Sequence, residues 1–297
     1  MAPSASTAST AEASPKVWLI TGCSSGIGEA IALAARKSGD YVVATARNPD
    51  TLDNLRQHGC DALALDVTAD DAAIQQVVKA AHELHGRIDV LVNNAGIFWF
   101  DLIEEASTQD VFSMFNTNVF GLLKVTRATL PYMRAQRSGV IANIGSAAGR
   151  VAFASGGIYS ATKFAVASLS QALRIELAPF NIDVVALELG AFRTRGFKAM
   201  QGLDTTIEDY QSAINELREF MSSIHDGSDP DKAAELIVET LTGTGRAAGR
   251  KLPSRLALGG NVFDMINSVL ETDRKEFDDW KDYTNPEIFA FDTGVAQ

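Results

Sequence analysis

Two cysteines, Cys23 and Cys60, are all that the 297 residues contain. A disulfide framework or a thiolate zinc site needs more, and Cys23 sits in a glycine-rich loop where a crosslink would be awkward. A reduced, cytosolic setting is therefore expected, and no metal site is. Positive charge is scarce as well: 26 Lys and Arg stand against 37 Asp and Glu, a formal net charge of -11. Acidic residues spread along the chain exclude the basic footprint with which proteins hold nucleic acid or an anionic membrane surface. No apolar run approaches the roughly 20 residues of a transmembrane helix. The first fifteen residues, MAPSASTASTAEASP, have neither the basic region nor the apolar core of a secretory signal, and read as a flexible N-terminal tail, 1–15. The absences leave a small neutral or cationic molecule as the expected partner.

What is present is apolar material for a large core, 46% of residues, so a disordered chain is excluded. From Lys16 onward, short runs rich in β-branched residues alternate with longer stretches of helical period, the signature of βα units around a parallel sheet. Strands are expected at Val17–Thr21, Tyr41–Ala46, Ala62–Leu65, Val90–Val92, Val140–Ile144, Val184–Leu187 and Leu256–Leu258. Helices are expected to begin near Ile27, Ala72, Gln109, Tyr159 and Asp231. Near-continuous apolar strands imply cover on both faces. The fold class is thus α/β, a single doubly wound parallel sheet of about seven strands over 16–297. Two stretches break the alternation. Residues 193–229 follow a strand's carboxyl end, where such proteins place a substrate lid, and 260–297 form a C-terminal extension carrying Trp280, Tyr283, Phe289 and Phe291.

Directly after the first strand comes TGCSSGIGEA, with glycines at Gly22, Gly26 and Gly28. Glycines there permit a tight turn and let backbone approach a pyrophosphate, while the following helix offers free N–H groups and its positive dipole end. An ordinary glycine-rich turn is the bland alternative; the position between strand and helix favours a dinucleotide in a Rossmann fold. A site for NAD carries an acid at the end of the second strand to hold the ribose hydroxyls. Here the strand ends ATARN. Arg47 stands in the acid's place, and a guanidinium suits the 2′-phosphate of NADP(H). A surface Arg paired with Asp50 is the alternative. Asp66, closing the third strand, could accept from an adenine amino group or merely cap a turn.

Tyr159 and Lys163, four apart at the start of a helix, face the same way. A nearby ammonium favours the phenolate and is expected to bring the tyrosine toward its working range, so that Tyr159 can exchange a proton with a carbonyl or alcohol oxygen. Thirteen residues before it, Ser146 follows the fifth strand and could stabilise charge developing on a substrate oxygen; a turn serine is the alternative.

TGCSSGIG, NNAG at Asn93 to Gly96, NVFG at Asn118 to Gly121, the Ser146 segment and YSATK stand in the order and spacing of the short-chain dehydrogenase/reductases, and the chain resembles that family from about Val17 to Thr194. The resemblance implies Tyr159 as the acid-base, Ser146 as the stabiliser of the substrate oxygen, and Lys163 as the group that binds the nicotinamide ribose and lowers the tyrosine pKa. Asn118 would hold a proton-relay water. The resemblance also assigns Ser24, Ile27, Asp66, Val67, Asn93 and Thr194 to the cofactor pocket, with Ser25 and Arg47 near the 2′-phosphate, and gives NNAG mainly a role in supporting the central strand. TGCSSGIG with ATARN is similar to NADP-preferring 17β-hydroxysteroid dehydrogenases and carbonyl reductases. One departure is Leu189, which stands where the family commonly has proline, removing a fixed φ from the loop.

Phe98, Trp99, Phe100 and Phe153 are expected at the mouth of the site, with Phe192, Phe197 and Met200 completing the pocket from the lid. Such aromatics suit a bulky apolar or ring-containing carbonyl. The reaction expected is reduction of a ketone or aldehyde by NADPH with Tyr159 as proton donor. Two alternatives stand beside it: an NADP(H)-binding protein without redox turnover, serving as a sensor or a cyclisation or isomerisation catalyst, and an NAD-linked alcohol dehydrogenase. By the resemblance, two long helices, about Gln109 to Arg137 and Tyr159 to Pro179, would pair chains into a homodimer or a homotetramer, with the dimer preferred.

Overall fold

Seven of the apolar runs become strands: β1 (Val17–Ile20), β2 (Tyr41–Ala46), β3 (Asp61–Ala64), β4 (Val90–Asn93), β5 (Gly139–Ile144), β6 (Ile182–Leu189) and β7 (Arg255–Leu258). They come from a computed structural model that describes residues 14–194, 205–223, 227–260 and 262–284. All pair in parallel, in the order β3-β2-β1-β4-β5-β6-β7. Every residue of β1 and β4 is buried, because helices cover both faces of the sheet. This explains why these strands read as continuous apolar runs and not as alternating ones.

Between the strands lie α1 (Gly26–Lys37), α2 (Asp53–Gln57), α3 (Asp71–His85), α4 (Thr108–Phe115), α5 (Leu122–Gln136), α6 (Gly157–Leu177), α7 (Gln211–Ser223), α8 (Pro230–Thr242) and α9 (Val262–Trp280). On one face Ile31 and Ala35 of α1 and Ile237 and Leu241 of α8 pack with Trp18, Val42 and Val92. On the other, Ile74 and Val78 of α3 and Val125 and Met133 of α5 pack with Leu19, Val43 and Leu91. Caps mark the starts: Asp70 accepts from the N–H of Ala73, Ser107 from Asp110, and Asp229 from Asp231. Each satisfies an N–H that the helix itself leaves unpaired.

Three differences from the sequence reading have physical causes. The helix expected from Gln109 to Arg137 is interrupted at Asn116–Gly121 by a π turn, a one-residue widening that periodicity does not reveal. Within 193–229, where strand signals lapse, the described residues hold helix α7. Past Gly260 lies α9, whose Val262 and Ile266 are buried against Ala147 while Phe263, Phe277, Trp280 and Tyr283 are exposed. Residues 1–13 of the expected tail, and Phe197, Met200, Phe289 and Phe291, lie outside the described residues. Among the described helices none is long and apolar enough to cross a membrane.

Candidate active site

The strand order reverses direction beside β1, with β2 on one side and β4 on the other, and a crevice opens at such a switch point beyond the strands' carboxyl ends. The loop after β1 borders it. Gly22 and Gly26 hold φ of +70° and +67°, which side-chain-bearing residues rarely adopt. A Cβ on Gly28 would lie 2.3 Å from Asn94 Nδ2, so its absence lets α1 pack against the loop after β4. The N-cap residue Ser25 makes no side-chain cap bond, leaving the first-turn N–H groups of α1 uncapped by a side chain where Gly26 and Ile27 line the crevice. The resulting cleft, of about 490 Å³, is also lined by Ser24, Ser25, Arg47, Asp66, Val67 and Thr194. Thr194 reaches it from the far side: a Cβ on Gly26 would lie 3.2 Å from Thr194 Cγ2.

Arg47 is exposed at the cleft wall and, among the described residues, forms no ion pair with Asp50. Asp66 caps a turn and borders the cleft. Its carboxylate accepts from the N–H and hydroxyl of Thr68 at 2.9 and 2.7 Å, a turn cap, and it also lines the cleft. Partial burial pulls its pKa up, but the Thr68 hydrogen bonds and the charges of Arg47 and Lys124 outweigh this and hold it below the usual value. A glycine cradle at a helix start fits the pyrophosphate of a nicotinamide dinucleotide.

Asn93 departs from the expectation. Its side chain turns away from the cleft and donates to Thr126 Oγ1 and Asn143 Oδ1, both at 2.9 Å. Asn143 in turn donates to Ser170 at 2.9 Å, so a buried polar chain joins α5, β4, β5 and α6. The cause is strand alternation: the last residue of β4 points at the helices and the next points the other way. That next residue, Asn94, donates to the carbonyls of Thr21 and Gly22 at 2.9 Å each. The support of the central strand expected from NNAG thus comes from Asn93, while Asn94 holds the glycine loop.

A second cavity of about 260 Å³ adjoins the cleft and shares Ile27, Asn94, Phe98, Ile144 and Thr194 with it. Ser146, Tyr159 and Lys163 line this pocket, which is otherwise mostly apolar: Phe98, Phe100, Val151, Phe153, Leu189 and Phe192 contribute, with Met265 from α9. Trp99 does not line it. Aromatic rings run outward from the tyrosine, Tyr159 to Phe98 at 5.8 Å, Phe98 to Phe100 at 6.0 Å and Phe100 to Phe153 at 5.6 Å between centroids. Met265, more than a hundred residues from Tyr159, had no local signal in the sequence.

Burial pushes the Tyr159 pKa up to about 12, the neighbouring Ser146 hydroxyl pulling partly back. Lys163 Nζ lies 5.6 Å from the Tyr159 ring centroid and donates to the Ile144 carbonyl at 2.8 Å; burial pushes its own pKa down to about 8. Desolvation is the largest cause at both groups. Asn118 is buried in the π turn, its Oδ1 accepting from the N–H of Ile97 at 2.8 Å and its Nδ2 donating to the Ile97 carbonyl at 2.8 Å and to Thr162 Oγ1 at 3.2 Å. Its side chain is thus committed to the loop that carries Phe98. Cys23 and Cys60 are both free and buried.

Comparison with known proteins agrees with this geometry. The short chain dehydrogenase family model matches residues 16–202. An oxidoreductase of Botryotinia fuckeliana is 34% identical over 273 residues, covering 90% of this chain and 97% of its own. The solved short-chain dehydrogenase of Streptomyces avermitilis superposes with a TM-score of 0.83 at 39% identity, covering 93% of this chain and 99% of that one. A 3-ketoacyl-(acyl-carrier-protein) reductase of Brucella melitensis, solved with NADH, superposes with a TM-score of 0.72 at 29% identity over 83% of this chain and 98% of its own.

Proposed function

The chain belongs to the short-chain dehydrogenase family, and from that premise we propose that it is an NADP(H)-dependent oxidoreductase reducing a bulky, apolar or ring-containing ketone or aldehyde to an alcohol. The observation that carries this reading is the meeting of Ser146, Tyr159 and Lys163 in an apolar pocket that opens into a glycine-lined cleft. A pure binder has no chemical need of that trio. Arg47 on the cleft wall, with no acid beside it on β2, favours NADPH over NADH.

NADPH bound in the cleft would supply the hydride to the carbonyl carbon. Tyr159 gives its phenolic proton to the carbonyl oxygen, and the Ser146 hydroxyl hydrogen-bonds the same oxygen as charge builds on it. Reduction suits the free protein's electrostatics: a phenol near pKa 12 is fully protonated at neutral pH, ready as an acid and poor as a base. Lys163 in its charged form stabilises the phenolate left behind. Since the Asn118 side chain is committed to Ile97, the proton relay is assigned to backbone of the π turn, where the widened turn interrupts regular carbonyl pairing.

Residues 193–229 serve in this reading as the substrate lid. The Thr205 hydroxyl donates to Glu105 at 2.6 Å and the Tyr210 hydroxyl to Glu104 at 2.7 Å, which ties this stretch to the loop following Phe98 and Phe100. Phe112, Phe120, Phe164 and Ile175, exposed on α4, the π turn and α6, fit a homodimer or tetramer formed through those helices. The reading is tested by NADPH absorbance, with NADH in parallel, against aromatic ketones, aldehydes, quinones and steroids. Consumption with NADPH that falls by about 10²–10⁴ in Tyr159→Phe is expected. A Tyr159→Phe protein with full activity overturns the mechanism, and tight NADPH binding without turnover across the panel favours the non-redox alternative.

A further inference from the structure

The turn that carries Ser146 is held in place by a buried ion cluster outside the pocket. Glu188, one residue before Leu189 on β6, is 2% exposed. Its Oε2 accepts from Arg150 Nε at 2.8 Å and its Oε1 from the guanidinium of Arg255, the first residue of β7. Arg255 also donates through Nη2 to the carbonyl of Gly149 at 2.9 Å. The two arginine side chains are only 24% and 16% exposed. The 147–150 turn is therefore gripped at adjacent residues, at Arg150 through its side chain and at Gly149 through its carbonyl, with Glu188 as the common anchor.

What the turn touches gives this grip its consequence. Its N-cap is Ser146, whose hydroxyl accepts from the N–H of Ala148 at 3.1 Å and which lines the pocket beside Tyr159. A Cβ on Gly149 would lie 2.9 Å from the carbonyl oxygen of Lys163, so the turn is pressed against the helical turn that bears the lysine. On the other side, Glu188 precedes Leu189, the last residue of β6, which stands where the family commonly has proline, and Gly190; both line the pocket. We propose that the Arg150–Glu188–Arg255 cluster is a clamp that sets the Ser146 turn against Lys163 and against the Leu189–Gly190 segment, which makes Glu188 and Arg150 positioning residues for the reaction. Neither touches the pocket; they act through Ser146. A charged clamp suits this task because each bond has a fixed direction and is shielded from water, whereas apolar packing alone would let the small Ala147–Gly149 turn slide. The inference rests on the reductase reading for its effect on turnover, but not for its geometry.

The test uses Glu188→Gln, which weakens both ties, and Arg150→Met, which releases the turn while leaving Glu188 paired with Arg255. Should the first fail to fold, the second decides. Arg150→Met is expected to lower kcat by about 10–100-fold with NADPH affinity within about threefold, a split that a general loss of stability does not produce. Arg150→Lys, which keeps the charge, should recover part of the loss. In a Ser146→Ala background the same Arg150→Met change should cost less than about twofold, because the group it positions is gone. Amide exchange followed by mass spectrometry should quicken in the 145–151 peptide and not in β1 or α1. A folded Arg150→Met protein with unchanged kcat, or a loss that multiplies in full with Ser146→Ala, overturns the positioning role, and unchanged exchange in 145–151 overturns the clamp. A wild-type protein that turns over no carbonyl would sink the reductase reading instead, and exchange would still decide the clamp.

Discussion

The two cavities that meet beside Tyr159 are built by different means. The cleft takes its shape from backbone: Gly22, Gly26 and Gly28, the uncapped start of α1, and the ends of β2 and β3. Most of that lies before residue 70 in short local patterns. The pocket takes its shape from side chains on six separate stretches, the start of α1, the segments that end or follow β4, β5 and β6, helix α6 and the C-terminal helix α9. A site made of backbone requires glycine and a helix start wherever it occurs, so it leaves a mark in sequence. One made of apolar side chains can be filled many ways, and that freedom is where substrate choice resides.

Lys163 tests the comparison most severely, because it belongs to the pocket yet acts by charge. Lys163→Met is expected to lower turnover by about 10²–10⁴ while making the protein more stable. Burial holds the lysine near pKa 8 against an ordinary 10.5, so between those values the unfolded chain binds the proton that the folded chain has released. Stability therefore rises with pH across that interval, and below pH 8 the full cost of burying the ammonium is present. Removing it should raise stability at pH 7 by about 1–2 kcal/mol after loss of the Ile144 hydrogen bond, measured by urea or thermal unfolding. In the wild type, kcat/KM for reduction should fall about tenfold per pH unit above pH 8 as the lysine loses its charge. A flat profile to pH 10 would remove Lys163 from the mechanism.

The contrast between backbone and side chain also explains how legible the molecule was. Seven parallel strands, and most of their helices to within a residue or two, follow from apolar runs and caps, since burial on both faces and an unpaired N–H at a helix start constrain residue type directly. Gly22, Gly26, Ser25, Arg47 and Thr194 all line the cleft, and Gly28 packs α1 against Asn94 behind it. Asn93 was misplaced because the motif has two asparagines and the resemblance carries over positions, not side-chain directions; counting alternation outward from β4 would have chosen Asn94. Nothing local could find Met265 or the Glu188 cluster, whose partners at Arg150 and Arg255 lie 38 and 67 residues away. The burial that raises the Tyr159 pKa and lowers that of Lys163 is a tertiary effect that spacing alone does not report.

Arg47 sharpens the comparison from the cleft side, where the proposed reading has one guanidinium decide between two cofactors that share a backbone cradle. Arg47→Ala should weaken NADPH by about 10–100-fold, the worth of one or two charge-assisted hydrogen bonds, and leave NADH within about twofold. Fluorescence titration with both cofactors measures this. Because Arg47 also helps hold Asp66 in its ionised form, the substitution should raise the Asp66 pKa, a shift readable by carboxyl NMR even if neither cofactor discriminates. Equal weakening of both cofactors would mean that Arg47 supports the cleft wall rather than a 2′-phosphate.

Phe153 offers the smallest effect and the cleanest separation of the two cavities. Its ring lies over Gly156, where a Cβ would come within 2.0 Å of it, so the glycine gives the ring its seat. The N–H of Asp101 donates to the Ser155 carbonyl at 2.7 Å, which brings the Phe98–Phe100 loop against the same turn and completes the aromatic run. Phe153 is the far end of that run from Tyr159, too remote to touch the reacting oxygen and well placed to touch the distal part of a large substrate. Phe153→Ala should therefore raise KM for multi-ring carbonyls by about tenfold, the worth of one apolar contact, leave small aldehydes unchanged, and not alter NADPH affinity. If small and large substrates suffer alike, Phe153 supports the turn and the run of rings is packing. If only the large ones suffer, the pocket reads substrate along a line of aromatic faces that begins at the proton donor, and exchanging rings along that line becomes the way to move its specificity.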